Sequence, residues 1–147
     1  MLQFVTDLNY SKHIKPVLNV LKKWPRMQIQ NIVKHETYAD DLKWFGLYKD
    51  HSIKDIVALT SIQYDKDNKT IDFRQINAGE KGAGKTLINK TIDWCKHNNK
   101  GCDKITWIAD PNSTDELKNY YRKNWPEAEE TEEKNEYWET SRFTIKL

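Results

Sequence analysis

Residues 79–86 read Gly-Glu-Lys-Gly-Ala-Gly-Lys-Thr, and this segment matches two phosphate-binding patterns at once. The whole string satisfies the P-loop pattern G-x-x-x-x-G-K-S/T of nucleotide-binding proteins. Its centre, Gly82-Ala83-Gly84, is also a shorter glycine turn suited to a second kind of phosphate site. Both patterns depend on the same physics, because small residues let backbone amides approach phosphate oxygens and a following helix presents its positive N-terminal end. The elements that flank the segment must therefore decide which of the two patterns applies.

Three segments before the glycines are rich in β-branched and aromatic residues: 44–49, 54–64 and 70–76. Short polar turns separate them, and connections this short join antiparallel neighbours, since parallel strands need a crossover of a dozen residues or more. In the third segment Ile71 and Phe73 alternate, yet the next apolar residue is Ile76. This change of parity predicts a bulge or the end of the strand near residues 74–76, which would expose backbone donors beside the glycines.

Apolar periodicity predicts the elements outside this meander: a strand at 1–6, helices at 10–23 and 27–38, a helix after the glycines to about 97, a strand at 104–109, a helix at 114–123 and a hairpin over 128–147 that turns at 139–141. The last helix is expected to turn Leu117, Tyr120 and Tyr121 inward. A helix followed by a strand implies a parallel crossover back onto the meander.

Size and charge narrow the class of protein. A chain of 147 residues is long enough for one core and short for two, so residues 1–147 are predicted to form a single domain. The 24 basic and 22 acidic side chains nearly cancel and are dispersed, so neither nucleic acid nor a membrane is expected as a partner. The sequence has no long apolar run and no signal-peptide pattern, and a cytoplasmic location is expected. The histidines and cysteines lack metal-ligand spacing, so no metal site is predicted.

The order of elements separates the two glycine patterns. A P-loop fold places its first strand inside a parallel sheet fed by several strand–helix–strand units, whereas here the glycines follow an antiparallel meander. The P-loop interpretation of Gly79–Thr86 stays as an alternative, supported by Asp110 at the end of the next strand. The whole order resembles the GNAT N-acetyltransferase superfamily along nearly the full chain. This resemblance implies an α/β fold with a mixed sheet: an antiparallel meander, one parallel crossover, and strands that splay apart at a cofactor cleft.

The glycine segment is similar to the acyl-CoA loop of that superfamily, Q/R-x-x-G-x-G/A. Residues 79–84 match both glycines, with Gly79 where glutamine or arginine is usual. The resemblance implies acetyl-CoA as the cofactor and the following residues as its binding site: Ile76 and Asn77 through their backbone, Lys81, Gly82, Ala83, Gly84, Lys85 and Thr86 in the loop, and Asn112 and Ser113 at the strand-to-helix break. Lys81 and Lys85 are equally well explained as solvated surface lysines, and both interpretations stay open.

A second local match supplies a catalytic residue. Aligning Asn124-Trp125 on the Gly-Phe-like pair of the family places Tyr120 at the family's tyrosine, with Tyr121 as the fallback. The resemblance then implies transfer of an acetyl group to a primary amine by direct attack in a ternary complex, with Tyr120 donating a proton to the departing thiolate. Asp72 and Glu80 flank the site, and the sequence does not choose a base between them.

The acceptor is expected to be a small-molecule or peptide amine, and the protein a monomer or a homodimer. The glutamates of residues 127–139 would suit a cationic amine, but a solvated edge strand explains them with fewer assumptions. Trp44, Trp107 and Trp138 are predicted to fill the core rather than line a pocket. A module that keeps the fold and binds coenzyme A without turnover is a further alternative.

Overall fold

A computed structural model describes residues 3–8, 42–49, 56–111 and 115–147 of the chain. The elements in this part are β1 (Gln3–Leu8), β2 (Leu42–Tyr48), β3 (Ile56–Asp65), β4 (Thr70–Ala78), α1 (Ala83–His97), β5 (Lys104–Ile108), α2 (Asp115–Asn124), β6 (Glu129–Lys134) and β7 (Glu139–Lys146). The strands form one seven-stranded sheet in the order β1-β2-β3-β4-β5-β7-β6. The helices predicted at 10–23 and 27–38 lie outside the described residues.

The predicted meander is confirmed. β2, β3 and β4 pair antiparallel in chain order, and β1 adds antiparallel to β2. Asp65 closes the turn between β3 and β4, because its carboxylate accepts hydrogen bonds from the backbone amide (3.1 Å) and the side-chain amide (2.7 Å) of Asn68. An aspartate that bonds to a residue three positions later in this way stabilises a tight turn.

Helix α1 connects the meander to a parallel strand. Its buried face includes the residues predicted from periodicity: Leu87, Ile88, Thr91, Ile92 and Cys95. Thr91 is tolerated there because its hydroxyl donates to the carbonyl oxygen of Leu87 at 2.8 Å. The helix packs on β2, β3 and β4, and β5 then pairs with β4 in parallel. The predicted crossover is therefore confirmed.

The final hairpin is confirmed, but the predicted position of its turn is wrong. β6 and β7 pair antiparallel, and β7 begins at Glu139, so the turn lies at residues 135–138 and not at 139–141. Asn135 explains the difference, since its side-chain oxygen accepts hydrogen bonds from the amides of Tyr137 (2.8 Å) and Trp138 (3.1 Å). A side chain that satisfies two turn amides fixes the turn where it stands.

Strand β6 forms one edge of the sheet, and nearly all of its side chains are exposed. Its sequence, EETEEK, places acidic side chains along the open edge. Charge on an edge strand discourages pairing with other chains. The predicted edge position of the acidic segment is confirmed for β6. Glu127 and Glu129 also line a groove on the polar face of the sheet, so the interpretation of these acids as partners of a cationic amine stays open.

The two faces of the sheet differ in polarity. Side chains alternate along β4, β5 and β7, and one set packs into the core beneath the helices: Ile71, Phe73, Ile105, Trp107, Phe143 and Ile145. The intervening residues, including Asp72, Thr106 and Arg142, lie on the opposite face. Trp44 and Trp107 are buried as predicted, whereas Trp138 is half-buried.

Candidate functional site

Strands β4 and β5 diverge within the sheet. They pair at only three positions, from Thr70–Lys104 to Asp72–Thr106. Beyond this point β4 continues beside β3 as far as Ala78, and β5 continues beside β7 to its end. Two strands that remain paired with their outer neighbours but no longer pair with each other enclose a cleft, and the backbone groups along its walls have no strand partner. The predicted splay is therefore confirmed, and the vertex of the cleft lies at Asp72 and Thr106.

Strand β4 also carries the irregularity that the sequence predicts. The register with β3 shifts between Ser61 and Ile62, which leaves Arg74 as an extra residue in β4. A bulge of this kind bends the strand and re-aims the residues that follow it. The re-aimed segment contains Ile76 and Asn77, whose backbone was expected to hold the cofactor.

The glycine-rich loop follows β4 at the open end of the cleft. Gly82 is the N-cap of α1 and has φ +83°, a left-handed conformation that costs a residue with a side chain about 1–2 kcal/mol. Gly84 lies in the first turn, where an added Cβ would be 3.3 Å from the Cβ of Ala78. The two glycines are required for different reasons: Gly82 allows the left-handed turn, and Gly84 allows the helix to begin close to β4.

The first turn of α1 is suited to an anion. Gly82 supplies no side-chain capping bond, and the first turn contains no acidic residue. The first amides of a helix lack intrahelical acceptors, and the helix dipole adds partial positive charge there. Backbone amides of the loop are thus presented beside the cleft, as a diphosphate site requires.

The individual loop residues differ in their surroundings. Lys81 and Lys85 are exposed, which keeps both interpretations of these lysines open. Thr86 donates its hydroxyl to the carbonyl oxygen of Gly82 at 3.1 Å, and the side chain of Ala83 is buried. Asn112 and Ser113, predicted at the strand-to-helix break, lie outside the described residues.

An aromatic cluster fills the helix side of the vertex. Phe73 and Trp107 directly follow the last paired residues of β4 and β5, and their rings meet edge to face with centroids 6.0 Å apart. Trp107 also stacks on Phe143 at 5.8 Å and contacts Tyr121 and Trp125. Such aromatic pairs contribute beyond their buried area. The cluster fixes α2 over the cleft.

Tyr120 lies at the outer side of this cluster. The prediction that it faces inward is wrong, because it is 41% exposed while its neighbour Tyr121 occupies the core position. Its ring packs on Tyr121 and Trp125 with centroids about 6 Å away. Partial burial raises the pKa of Tyr120, so its hydroxyl is protonated at neutral pH. The arrangement gives a fixed ring that carries an accessible proton donor.

A polar network occupies the opposite side of the vertex. The guanidinium of Arg142 donates through Nη2 to Glu133 at 2.8 Å and through Nη1 to Thr106 at 3.1 Å, and its Nε also bonds to Glu133. Its Nη1 is 3.4 Å from Oδ1 of Asp72, a long contact for a charge-assisted bond. Burial raises the pKa of Asp72, and the charge of Arg142 lowers it to a lesser extent. The carboxylate of Asp72 is therefore half-buried, and the positive charge of Arg142 compensates its negative charge only weakly.

The sequence gives no signal for this network. Asp72 stood out as an acid near the glycines, but Arg142 lies 70 residues further along the chain. Glu80, the other candidate base, forms an ion pair with Lys49 on the surface. The vertex therefore favours Asp72 by position.

A groove of about 880 Å³ extends from this network along the face opposite the helices. Its lining includes Asp72 and Thr106 at the vertex and Lys104 and Lys146 further along the strands. Within the described residues no group of three metal-ligating side chains occurs. None of the helices in this part is long and apolar enough to span a membrane.

Comparison with known proteins identifies the fold. No protein-family model and no curated protein sequence matches the chain significantly. Among solved structures, a Desulfovibrio desulfuricans protein assigned to the GNAT acetyltransferase family superposes with a TM-score of 0.70 at 10% identity, covering 99% of both chains. A Bacillus subtilis acetyltransferase in complex with CoA gives 0.69 at 13% identity, over 100% of this chain and 99% of the other. Campylobacter jejuni N-acetyltransferase PseH with acetyl coenzyme A gives 0.61 at 15% identity, over 100% and 99%.

The chain thus has the fold of the GNAT N-acetyltransferase superfamily, and the resemblance drawn from the sequence is confirmed at this level. The P-loop alternative does not agree with this topology. Among the described strands only β4 and β5 pair in parallel, whereas a P-loop fold needs a parallel sheet around its glycine loop.

Proposed function

We propose that the protein is an acetyl-CoA-dependent N-acetyltransferase that transfers an acetyl group to a primary amine. One observation carries the proposal: the pairing of β4 with β5 ends at Asp72–Thr106, and an uncapped helix start follows β4 at the open end. A cleft with bare backbone groups beside an anion site suits an extended carrier that ends in a diphosphate. The fold shared with structures that contain CoA or acetyl coenzyme A supports the same choice.

Residues of this chain are suited to both the pantetheine arm and the diphosphate of the cofactor. Backbone groups near Ile76 and Asn77, beyond the bulge, would hydrogen-bond the pantetheine arm in place of a neighbouring strand. Amides of residues 81–86 would hold the diphosphate, except those of Ala83 and Thr86, which already donate to the carbonyl oxygens of Glu80 and Gly82. Lys81 and Lys85 are available to add charge. When bound, acetyl-CoA supplies an activated acetyl thioester. One of the β4 amides would stabilise negative charge on its carbonyl oxygen.

Two side chains of the site are suited to move protons. Tyr120, protonated at neutral pH and accessible, would donate a proton to the departing thiolate. Asp72, half-buried at the vertex with a raised pKa, would accept a proton from the incoming ammonium through a water molecule. Glu80 is less suited because Lys49 holds it at the surface.

The proposal extends to the whole chain. One sheet contains strands from Gln3 to Lys146, which supports a single acetyltransferase domain over residues 1–147. A small-molecule or peptide acceptor, a monomeric or homodimeric state and a cytoplasmic location stay predictions.

A thermal-shift panel tests the function. We expect acetyl-CoA without magnesium to raise the melting temperature, since a ligand at 100 times its Kd stabilises the native state by about 2.7 kcal/mol. Thiol release from acetyl-CoA in the presence of primary amines should follow. Stabilisation by magnesium-ATP alone would restore the P-loop alternative, and binding of acetyl-CoA without turnover of any amine would indicate a non-catalytic module.

A further inference from the structure

One side chain connects the four strands that lie at and beside the vertex. Arg142 belongs to β7, and its guanidinium contacts Glu133 on β6, Thr106 on β5 and Asp72 on β4. Asp72 and Thr106 are the last paired residues of β4 and β5. The guanidinium therefore lies at the point where the cleft begins.

Two carboxylates share this guanidinium unequally. Glu133 accepts hydrogen bonds from both Nε and Nη2 of Arg142, the second at 2.8 Å. Oδ1 of Asp72 is 3.4 Å from Nη1, and the same nitrogen donates to Thr106 at 3.1 Å. A bidentate contact is the strong geometry for an arginine–carboxylate pair, and it fixes the plane of the guanidinium. Glu133 therefore holds the positive charge where it compensates Asp72 only weakly.

Solvent exposure does not explain this inequality. The exposed fractions of the three side chains are 29% for Asp72, 32% for Arg142 and 33% for Glu133. Water therefore screens the two carboxylates to a similar extent. The contact geometry determines which of them is stabilised more by the guanidinium.

Other charges also act on Asp72. Burial is the largest effect and raises the pKa of Asp72, Arg142 and Arg74 lower it, and Asp65 and Glu133 raise it further. The groove contains additional charged side chains of both signs on the neighbouring strands and the segment before β6: Lys104, Lys146, Glu127 and Glu129. A substitution of Arg142 or Glu133 leaves all of these other charges in place.

We propose that Arg142 and Glu133 are positioning residues that set how readily Asp72 accepts a proton. Arg142 supplies a positive charge, and Glu133 keeps that charge from pairing fully with Asp72. The inference rests on the proposed acetyltransferase function, in which Asp72 takes a proton from the incoming ammonium group through water. A carboxylate paired fully with arginine is a weak base, whereas one without a cation nearby is protonated over a wider range of pH.

Two substitutions in this network should have opposite effects. Arg142→Gln removes the cation and leaves Glu133 near Asp72, so Asp72 should titrate at a higher pH than in the unmodified protein. Glu133→Gln removes the competing carboxylate and frees Arg142 to pair with Asp72, so Asp72 should titrate at a lower pH. If the network only held the strands together, either substitution would admit water to Asp72 and shift its titration in the same direction.

Carbon-13 NMR of the aspartate carboxyl groups measures these titrations, and Asp72→Asn assigns the signal. Arg142→Lys keeps the positive charge and should reverse most of the shift caused by Arg142→Gln. The control is Glu132→Gln, the same substitution at an adjacent exposed residue whose ion pair is with Lys134. It should leave the titration of Asp72 unchanged. If Arg142→Gln does not fold, Glu133→Gln and Arg142→Lys still decide the result.

Turnover connects the titration with catalysis. Thiol release from acetyl-CoA in the presence of a primary amine gives kcat/KM at each pH, and the ratio of variant to unmodified protein cancels the titration of the amine itself. For Arg142→Gln this ratio should fall about fivefold towards acid pH, which is the size expected of a part-exposed ion pair. For Glu133→Gln it should rise towards acid pH, and for Glu132→Gln it should stay constant.

The outcomes separate this inference from the proposed function. Shifts of the Asp72 titration in the same direction in Arg142→Gln and Glu133→Gln would overturn the inference. Opposite shifts with constant turnover ratios would also overturn it, because Asp72 would not be the proton acceptor, and the acetyltransferase function would stand. If the protein neither binds acetyl-CoA nor acetylates an amine, the proposed function fails, and the NMR titrations still decide whether Arg142 and Glu133 control Asp72.

Discussion

Gly82 and Gly101 have almost the same positive φ angle at different places in the chain. Their φ values are +83° and +84°, and an added Cβ at either position would meet no atom within 4 Å. Only Gly82 belongs to the loop in front of α1, whereas Gly101 lies in the turn before β5. Alanine substitutions at these two glycines can therefore separate the loss of folding stability, expected at both positions, from a loss of cofactor affinity, expected only at Gly82.

Gly82→Ala and Gly101→Ala should therefore lower the free energy of unfolding by similar amounts, about 1–2 kcal/mol each. Gly82→Ala should also weaken acetyl-CoA binding at least tenfold, because a turn that shifts away from φ +83° would misplace the loop amides, and loss of one amide contact to a charged phosphate costs about 1.5–3 kcal/mol. Denaturant unfolding and calorimetry check the two effects. Equal cofactor affinity in the two variants would remove the loop from the binding site.

Tyr120 and Tyr121 form a second matched pair at the residue scale. Tyr120→Phe removes an accessible proton donor and should lower kcat by about 100- to 10,000-fold with little change in melting temperature. Tyr121→Phe alters a buried ring of the aromatic cluster and should retain most of the turnover. Steady-state thiol release measures both. If Tyr121→Phe is the inactive variant, the fallback alignment of the tyrosines is correct.

At the scale of elements, α2 is held to the rest of the molecule by a few defined contacts. The indole of Trp125, just after the helix, donates to Oδ1 of Asn89 on α1 at 2.8 Å. Arg122 donates to both carboxylate oxygens of Glu130 on β6 at 2.6 and 2.7 Å. These contacts, with the aromatic cluster, determine where the helix carries Tyr120.

The Arg122–Glu130 pair predicts a pH-dependent contribution to stability. Hydrogen bonding to Arg122 lowers the pKa of Glu130 from its ordinary value of 4.5 to about 2. A carboxylate whose pKa is lowered by folding stabilises the native state above its unfolded pKa, and this contribution is lost as the pH falls through the folded pKa. Arg122→Gln should therefore have a lower melting temperature than the unmodified protein above pH 5, and the difference should shrink between about pH 4.5 and 2.

Two variants control this measurement. Glu130→Gln should show at least the effect of Arg122→Gln, because it removes the carboxylate that accepts from Arg122 and also, at 2.7 Å, from the Ser141 hydroxyl. Lys134→Gln disrupts only an exposed 3.8 Å contact with Glu132 and should show little pH-dependent difference. A constant difference for Arg122→Gln from pH 7 to 2 would contradict the assignment.

At the scale of the whole molecule, the sheet is continuous on one side of the vertex and open on the other. β4 is paired on both sides from Thr70 to Asp72 but only with β3 beyond that point. β6 is likewise paired on one side only, since it forms an edge. These two unpaired strand segments differ in one respect, because only the cleft of β4 is expected to receive a ligand.

Hydrogen exchange should therefore distinguish them. Acetyl-CoA should slow amide exchange in residues 74–78 and 81–86, because the ligand would replace the missing strand and occupy the loop amides. Exchange in residues 129–134 should be the same with and without the cofactor. Unchanged exchange in β4 together with a positive thermal shift would place the cofactor elsewhere on the protein.

Much of the fold could be predicted because it is specified by short-range patterns. The alternation of apolar residues fixes which face of β4 enters the core, and its break at Ile76 locates the bulge at Arg74. The buried face of α1 follows from helical periodicity. Glycines at 82 and 84 follow from backbone requirements of the turn and of the close approach to Ala78. Each of these features depends on neighbouring residues alone.

Features that depend on strand register and on packing between distant elements could not be predicted from these local patterns. Asp72 and Arg142 are 70 residues apart and meet only because β7 inserts between β5 and β6. Tyr120 is exposed because Tyr121 occupies the space beside Trp107. The elements and the phosphate-type loop can be predicted from local patterns. The vertex network and the groove also require the order of strands, because alternation assigns a face to each side chain but not its neighbours across the sheet.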